Sequence, residues 1–303
     1  MFAVEAKELR KVYGKEKTVA VDAVSFSVKE GELFGLIGPD GAGKTSIFRM
    51  LTTLLLPDGG AASVAGLDIV KDYKEIRKRL GYMPGKFSLY ADLTVEENLN
   101  FFATVFGTTI EENYHLIKDI YVQLAPFKNR RAGKLSGGMK QKLALCCALI
   151  HKPEVLFLDE PTTGVDPVSR KEFWEMLKRL KAQGISILVS TPYMDEAALC
   201  DKIALIQGGK ILSIDTPNAI VEDFPNKLFA LKGDSMYLLL QAANTSNFVE
   251  HAYAFGEYAH VILKDNISSE DLLLDYLSQE GFGALEMKQI VPSIEDCFIR
   301  LLR

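Results

Sequence analysis

A short glycine-rich stretch has the residue types and the spacing of a phosphate-binding loop. It comprises Gly38, Pro39, Asp40, Gly41, Ala42, Gly43, Lys44 and Thr45, which match the pattern G-x-x-x-x-G-K-S/T. In such a loop the backbone N–H groups point at one anion, and the N-terminus of a following helix adds about half a positive charge. The ammonium group of Lys44 would contact the outer phosphates, and the hydroxyl group of Thr45 would bind Mg²⁺. We therefore predict a site for a nucleotide polyphosphate and Mg²⁺, which also includes the adjacent Ser46.

Two carboxylates, Asp159 and Glu160, follow an apolar run at residues 155–158. Four apolar residues in a row predict a central parallel strand, and open α/β sheets bind ligands at the C-terminal ends of such strands. Asp159 is therefore predicted to hold Mg²⁺, and Glu160 to orient or deprotonate an attacking water molecule. The alternative is that the two acids only cap the following helix.

Two further features have the chemistry to contact a nucleotide. Ser136, Gly137 and Gly138 precede a predicted helix at residues 140–150, so their backbone could form a second phosphate contact. The alternative is an ordinary cap and turn. Tyr13, at the end of an alternating strand, could stack on a purine, or it could simply pack at the strand end.

The elements around these residues are those that the motifs require. An apolar run at residues 33–37 predicts a buried strand, and residues 46–51 predict a helix, so the phosphate loop joins a strand to a helix. This context disfavours a chance glycine-rich turn. A continuous helical pattern at residues 94–124 begins with the capping box Thr94-x-x-Glu97 and interrupts the alternation of strands and helices.

The composition narrows the function classes. The chain has 303 residues and a net charge of −5, so we predict no nucleic-acid partner, because nucleic-acid binding needs a basic surface. The four cysteines lack metal-ligand spacing, and the adjacent Cys146 and Cys147 are predicted to be reduced core residues, with a reactive pair as the alternative. No apolar run approaches the roughly 20 residues that span a bilayer.

The phosphate loop, the segment Leu135-Ser136-Gly137-Gly138 and the apolar strand that ends in Asp-Glu occur in this order, which resembles the nucleotide-binding domain of ATP-binding-cassette (ABC) transporters. The resemblance covers residues 1 to about 223. It implies an α/β fold, a P-loop NTPase cassette with an antiparallel N-terminal subdomain and an inserted helical subdomain at about 86–150. It also implies ATP and Mg²⁺ as ligands and ATP hydrolysis as the activity, with Tyr13 stacked on adenine.

The same resemblance implies partners and a location. Two cassettes would face head to tail, so that Ser136 to Gly138 of one contact the γ-phosphate of the ATP held by the other. Asp166 would lie in the loop that crosses this interface. Membrane-spanning permease subunits would dock in a groove near residues 82–105. The chain would then be cytoplasmic, peripheral on the inner face of the cell membrane.

Two positions depart from the family pattern. The family has Gln where this chain has Gly85, and His where this chain has Pro192. Both residues normally position the attacking water, and a proline offers neither a side-chain donor nor a backbone N–H group. We therefore expect good ATP binding but impaired hydrolysis at the chain's own phosphate loop, which favours a heterodimer with a second, intact cassette over a homodimer.

The pattern of residues 224–303 predicts a small α+β domain. Within it, residues 236–240 are predicted to form a strand and residues 247–253 a short helix. Its ending at residues 292–299 resembles the accessory domain of exporter cassettes of the drug, sodium and polysaccharide type. An exporter subunit is thus the favoured reading. The alternatives are a regulatory subunit that barely hydrolyses ATP and, ranked lower, a non-transport ABC protein.

Overall fold

The structure is a computed structural model that describes residues 1–86, 88–225, 227–264 and 271–302. The chain divides into two compact units, Met1–Asn218 and Ala219–Leu301. The second unit begins slightly before residue 224, where the sequence suggested a limit. No helix in the described part of the chain is both long enough and apolar enough to cross a membrane.

An antiparallel sheet with strand order β2-β1-β4-β5 begins the first unit. Its strands are β1 (Phe2–Tyr13), β2 (Thr18–Lys29), β4 (Gly59–Val64) and β5 (Leu67–Asp68). Buried residues alternate with exposed ones along much of β2, as expected for a sheet with one solvated face. The pairing of β1 with β2 runs to Tyr13 opposite Thr18, so Tyr13 stands at the end of its strand.

A six-stranded sheet with order β10-β9-β3-β8-β7-β6 forms the centre of the unit. Its strands are β3 (Leu33–Ile37), β6 (Leu80–Met83), β7 (Val155–Asp159), β8 (Ser186–Thr191), β9 (Lys202–Gln207) and β10 (Lys210–Asp215). The strands β6, β7, β8, β3 and β9 are parallel. Because Ile37 pairs with Thr191 and Asp159 with Ser190, the phosphate loop and the acid pair leave the sheet at the same edge.

Aromatic packing fixes the helix after the phosphate loop against the strand that ends at Asp159. Phe48 of the helix α1 (Lys44–Leu51) and Phe157 of β7 are both fully buried. Their rings meet edge to face with 5.9 Å between centroids. The loop and the acid pair are thus held by one continuous core.

The first unit also contains the helices of the helical insertion and several others. They are α2 (Tyr73–Arg79), α3 (Val95–Val105), α4 (Ile110–Leu124), α5 (Gly137–Leu149), α6 (Pro167–Ala182) and α7 (Pro217–Glu222), the last of which continues past Asn218. The predicted capping box of Thr94 and Glu97 is confirmed. The continuous helix predicted at residues 94–124 is wrong, because a second capping box, Thr109 with Glu112, starts a new helix.

The second unit contains a four-stranded antiparallel sheet with order β12-β13-β11-β14. Its elements are β11 (Leu228–Lys232), α8 (Met236–Thr245), β12 (Val249–Phe255), β13 (Tyr258–Leu263), α9 (Asp271–Gln279), β14 (Glu286–Ile290) and α10 (Ile294–Leu301). The predicted strand at 236–240 is wrong, because the buried residues Leu239 and Ala243 have helical spacing. The predicted helix at 247–253 is also wrong, because this segment pairs with β13.

Candidate nucleotide-binding site

Two glycines of the phosphate loop, Gly38 and Gly43, lie where no side chain fits. A Cβ atom on Gly38 would lie 2.1 Å from the carbonyl oxygen of Ile206, and one on Gly43 would lie 2.4 Å from that of Ala20. Gly43 also has a φ of 105°, in the left-handed region, and directly precedes α1. The loop is therefore a backbone cradle at a helix N-terminus, which is the arrangement that suits a phosphate group.

The ammonium group of Lys44 is fixed inside this cradle. Lys44 is only 3% exposed. Its Nζ atom donates to the carbonyl oxygens of Gly38 at 2.7 Å and Pro39 at 2.9 Å, and it lies 3.2 Å from Oε1 of Glu160. Lys44, predicted to contact phosphate, and Glu160, predicted to be the general base, are thus in direct contact.

Asp159 and Thr45 meet at the edge of the central sheet. The Thr45 hydroxyl lies 3.3 Å from Oδ1 of Asp159, and the buried Ser190 hydroxyl donates to the same oxygen at 2.7 Å. Burial, together with the negative charge of Asp159, raises the pKa of Tyr82 to about 12.

These two oxygen donors fit Mg²⁺. Mg²⁺ usually takes one or two carboxylate or hydroxyl ligands from the protein and completes its shell with phosphate oxygens and water. Among the described residues no three His, Cys, Asp or Glu side chains cluster as a metal site. The donor set of Thr45 and Asp159 beside a phosphate cradle therefore suits a cation that arrives with a nucleotide.

Glu160 is held in an uncommon backbone conformation. Its φ is 50°, in the left-handed region that non-glycine residues rarely adopt. Its N–H group donates to the carbonyl oxygen of Ser190 at 3.1 Å and to the Ser190 hydroxyl at 3.0 Å. Ser190 therefore contacts both members of the acid pair, a role that its position in an apolar strand did not indicate.

Tyr13 is near the loop, and a nearby carboxylate fixes the end of its strand. The Tyr13 hydroxyl lies 3.2 Å from Oγ of Ser46, and the side chain remains 38% exposed. Asp58 accepts from the N–H group of Val12 at 2.8 Å and from Nζ of Lys11 at 3.1 Å. The hydrogen bond from Val12 and then the contact with Lys11 lower the pKa of Asp58. Sequence reasoning missed Asp58, because its partners are far away along the chain.

The segment from Ser136 to Gly138 lies apart from these residues in sequence and has its own neighbours. Ser136 is the N-cap of α5, and its hydroxyl accepts from the N–H group of Met139 at 3.3 Å. Gly137 and Gly138 belong to the first turn of α5, whereas the sequence suggested that they precede the helix. A Cβ atom on Gly138 would lie 2.9 Å from Oγ of Ser169, near the start of α6. Ser136 and Gly137 are exposed.

Of the two departures from the family pattern, Gly85 lies beside the acid pair and Pro192 follows β8, the strand that pairs with β7. Gly85 is exposed, and a Cβ atom there would lie 3.1 Å from the carbonyl oxygen of Asp159 and 3.8 Å from Cβ of Glu160. Pro192 directly follows Thr191, the last residue of β8.

Asp166 caps α6 and accepts from the N–H groups of Val168 and Ser169, and its hydrogen bonds with Ser169 are the main cause of its lowered pKa.

A mostly apolar groove of about 400 Å³ lies beside the helical insertion. Its lining includes Tyr82, Leu89, Phe102, Val105 and Phe106, and also His151. The exposed Val105 and the half-buried Phe102 and Phe106 leave apolar surface open along this groove.

Comparisons with known proteins agree with this geometry. The profile of the ABC transporter family matches residues 21–163. The chain is 40% identical over 287 residues to the probable multidrug ABC transporter ATP-binding protein YbhF of Escherichia coli, a match that covers 93% of this chain and 49% of that protein. The chain therefore spans about half the length of this relative.

Another relative matches over nearly its whole length. The chain is 40% identical over 305 residues to the Nod factor export ATP-binding protein I of Burkholderia orbicola, with 98% of this chain and 96% of that protein covered. Among solved structures, an ATP-binding subunit of an ABC transporter matches with a TM-score of 0.66 and 29% identity, over 73% of this chain and 93% of that chain. The expected α/β P-loop NTPase cassette is confirmed, and the chain belongs to the ABC transporter family as one of its ATP-binding subunits.

Proposed function

We propose that this chain binds ATP with Mg²⁺ and powers an exporter through separate membrane-spanning permease subunits. The buried Lys44 inside the glycine cradle is the observation that carries ATP binding, because a cation beside a backbone cradle at a helix N-terminus suits a phosphate group. Relatives whose names include multidrug ABC transporter and Nod factor export support the export role. The transported substance would be chosen by the permease.

Each site residue has a separate role in this proposal. The loop from Gly38 to Ser46 holds the phosphates, and Tyr13 stacks on the adenine ring. Thr45 and Asp159 would hold Mg²⁺, which supplies charge neutralisation at the phosphate oxygens when it is bound. Glu160 orients the attacking water and accepts its proton.

The chain's own site is proposed to hydrolyse ATP poorly. Gly85 has no side chain to reach water, and Pro192 has neither an imidazole ring nor a backbone N–H group. The loss of one preorganised donor costs about 10²–10³ in rate at comparable sites. Since the ammonium group of Lys44 is held by Gly38, Pro39 and Glu160, ATP affinity is expected to survive.

This asymmetry favours a heterodimer with a second cassette. The exposed Ser136 and Gly137 at the start of α5 are available to contact the γ-phosphate of ATP in the partner's site. The partner would supply the intact glutamine and histidine that this chain lacks. A regulatory subunit that holds ATP and barely turns it over is the second candidate, and Pro192 is the observation that favours it.

The groove near residues 82–105 is the proposed docking surface for the permease. A concave apolar surface of this size suits a short amphipathic helix from a partner. Docking there would place the chain on the inner face of the cell membrane as a peripheral, cytoplasmic subunit.

ATP binding by the isolated chain tests the core of the proposal. We expect Lys44→Ala to weaken MgATP binding about 10- to 100-fold, because a buried charge-assisted contact with phosphate is lost. Titration calorimetry measures the dissociation constant. Lys118→Ala, on the exposed surface of α4, is the matched control and should leave it unchanged. MgATP binding that is insensitive to Lys44, or absent from the unaltered chain, would contradict the proposed function.

A further inference from the structure

The carboxylate of Glu196 is the centre of a buried hydrogen-bond cluster. Glu196 is 2% exposed. Its Oε1 atom lies 2.8 Å from the hydroxyl of Thr162 and 3.0 Å from a guanidinium nitrogen of Arg170, and its Oε2 atom accepts from the hydroxyl of Thr191 at 2.5 Å. We call Thr162, Arg170, Thr191 and Glu196 the Glu196 cluster. Both carboxylate oxygens are satisfied, and a cationic group balances the charge, as a buried carboxylate requires.

The cluster joins the segments on either side of the reaction centre. Thr162 follows Glu160 after a single proline, and Thr191 directly precedes Pro192. Arg170 lies in the first turns of α6, and its guanidinium group stacks over the ring of Tyr193 with 4.2 Å to the centroid. The backbone after the general base and the backbone around Pro192 are therefore tied to one carboxylate.

A second anchor holds the other side of Glu160. Its N–H group donates to Ser190, one residue before Thr191. The left-handed φ of Glu160 persists only if surrounding contacts enforce it, because an unconstrained non-glycine residue relaxes to a negative φ. Ser190 and the Glu196 cluster supply such contacts on both sides of the residue.

We propose that Glu196 is a positioning residue for the hydrolytic step, which fixes Glu160 through the backbone in a site where residue 192 is a proline. This inference rests on the proposed ATP hydrolysis. The side chain of residue 192 cannot donate to the γ-phosphate or to Glu160. The position of Glu160 then depends on the loop that carries it, and the Glu196 cluster joins this loop to the segment that carries Pro192. Small displacements of a catalytic group cost about 10²-fold in rate, so a loosened cluster should slow the chemistry without weakening ATP binding.

Matched threonine variants test this role. Thr162→Val and Thr191→Val remove a hydroxyl group and keep the shape, whereas Thr162→Ser and Thr191→Ser keep the hydroxyl group and remove a methyl group. We measure MgATP affinity and the single-turnover hydrolysis rate of the purified chain in excess over ATP. The rate of the Glu160→Gln variant is the background, called the floor, that does not depend on Glu160. The rate above this floor is the part that depends on Glu160.

We expect both valine variants to lose at least about tenfold of the Glu160-dependent rate while their dissociation constants stay within about threefold. The serine variants should recover the rate, since they restore the hydrogen bond. A role in packing alone predicts the reverse order, with serine worse than valine. Thr245→Val in the second unit removes a hydroxyl that bonds to backbone carbonyls, and it should change neither quantity.

Arg170→Lys provides a second, independent variant, because it keeps the charge and removes the planar donor group. It should slow hydrolysis at unchanged ATP affinity. Valine and Arg170→Lys variants that retain the full rate would overturn the inference, as would serine variants as slow as valine. The inference would also be overturned if the unaltered chain hydrolysed ATP no faster than the Glu160→Gln variant. Failure of the unaltered chain to bind MgATP is a different result, which contradicts the proposed function itself.

Discussion

Lys44, which is proposed to bind phosphate, has a side chain that is fixed by its contacts. Its ammonium group is desolvated and oriented by two loop carbonyl oxygens, and Glu160 balances its charge. A phosphate group would compete with Glu160 for this cation and would free the glutamate for water. The same contact therefore links substrate binding to the availability of the proposed base.

His151 provides a pH-dependent property at the residue scale. Its Nε2 atom lies 2.9 Å from the carbonyl oxygen of Leu80, its ring stacks on Phe106 with 3.8 Å between centroids, and burial lowers its pKa. Between the lowered pKa in the folded state and about 6.5 in the unfolded state, the unfolded chain binds more protons. Stability from this residue is therefore present above about pH 6.5 and is lost as the pH falls through the folded-state pKa.

We expect His151→Gln to reduce the fall in thermal midpoint between pH 8 and pH 5.5, because glutamine cannot be protonated. Thermal unfolding at a series of pH values measures this slope. His115→Gln, at an exposed position on α4, is the control and should keep the slope of the unaltered chain. An unchanged slope for His151→Gln would show that His151 is not held neutral in the folded state.

At the scale of elements, the helical insertion depends on caps that define where each helix begins. The hydroxyl of Thr94 accepts from the N–H group of Glu97, and the Glu97 carboxylate accepts from the N–H group of Thr94. This reciprocal pair fixes the start of α3, whose other end lines the groove proposed for the permease.

Thr94→Ala is expected to destabilise the chain by about 1 kcal/mol, the usual cost of losing an N-cap. Chemical denaturation measures the free energy of unfolding. Thr104→Ala, at an exposed position in the last turn of the same helix, removes a hydrogen bond to the carbonyl oxygen of Asn100 but no cap. It is the control and should be neutral or slightly stabilising, because alanine has the higher helix propensity. Equal effects of the two substitutions would exclude a specific capping contribution.

Local patterns in the sequence predicted the elements whose determinants are close together along the chain. The apolar strand before the phosphate loop and the Thr94 capping box are confirmed for this reason. The break before Ile110 was missed although the sequence marks it twice, since Gly107 takes a left-handed φ of 68° after the end of α3 and Thr109 caps α4. In the second unit the leucine-rich residues 236–240 fit a strand as well as a helix until their packing partners are known.

The same limit applies to the candidate site. Motif spacing identified Lys44, Thr45, Asp159 and Glu160, and the structure brings these four together. Ser190 and Glu196 carry no motif, because their importance comes from partners on other segments. Contacts between distant segments are the part of the site that sequence periodicity does not encode.

At the scale of the whole molecule, the chain contains the residues proposed for one nucleotide site. It also contains one surface that is proposed to contact the nucleotide in the site of a partner cassette. The phosphate loop and the acid pair form the first, and the start of α5 forms the other. In the proposed heterodimer the two have unequal tasks, since this chain's own site lacks the water-positioning side chains. ATP held there would act mainly as a clamp between the two cassettes.

The most direct test of this account compares the unaltered chain with Pro192→His and Pro192→Ala. Both variants restore a backbone N–H group, but only histidine restores a side-chain donor. We expect equal MgATP dissociation constants within about threefold, slow turnover in the unaltered chain and in Pro192→Ala, and about 10²-fold faster turnover in Pro192→His. Turnover in the unaltered chain that already equals that of Pro192→His would contradict the claim that the chain binds ATP well and hydrolyses it poorly.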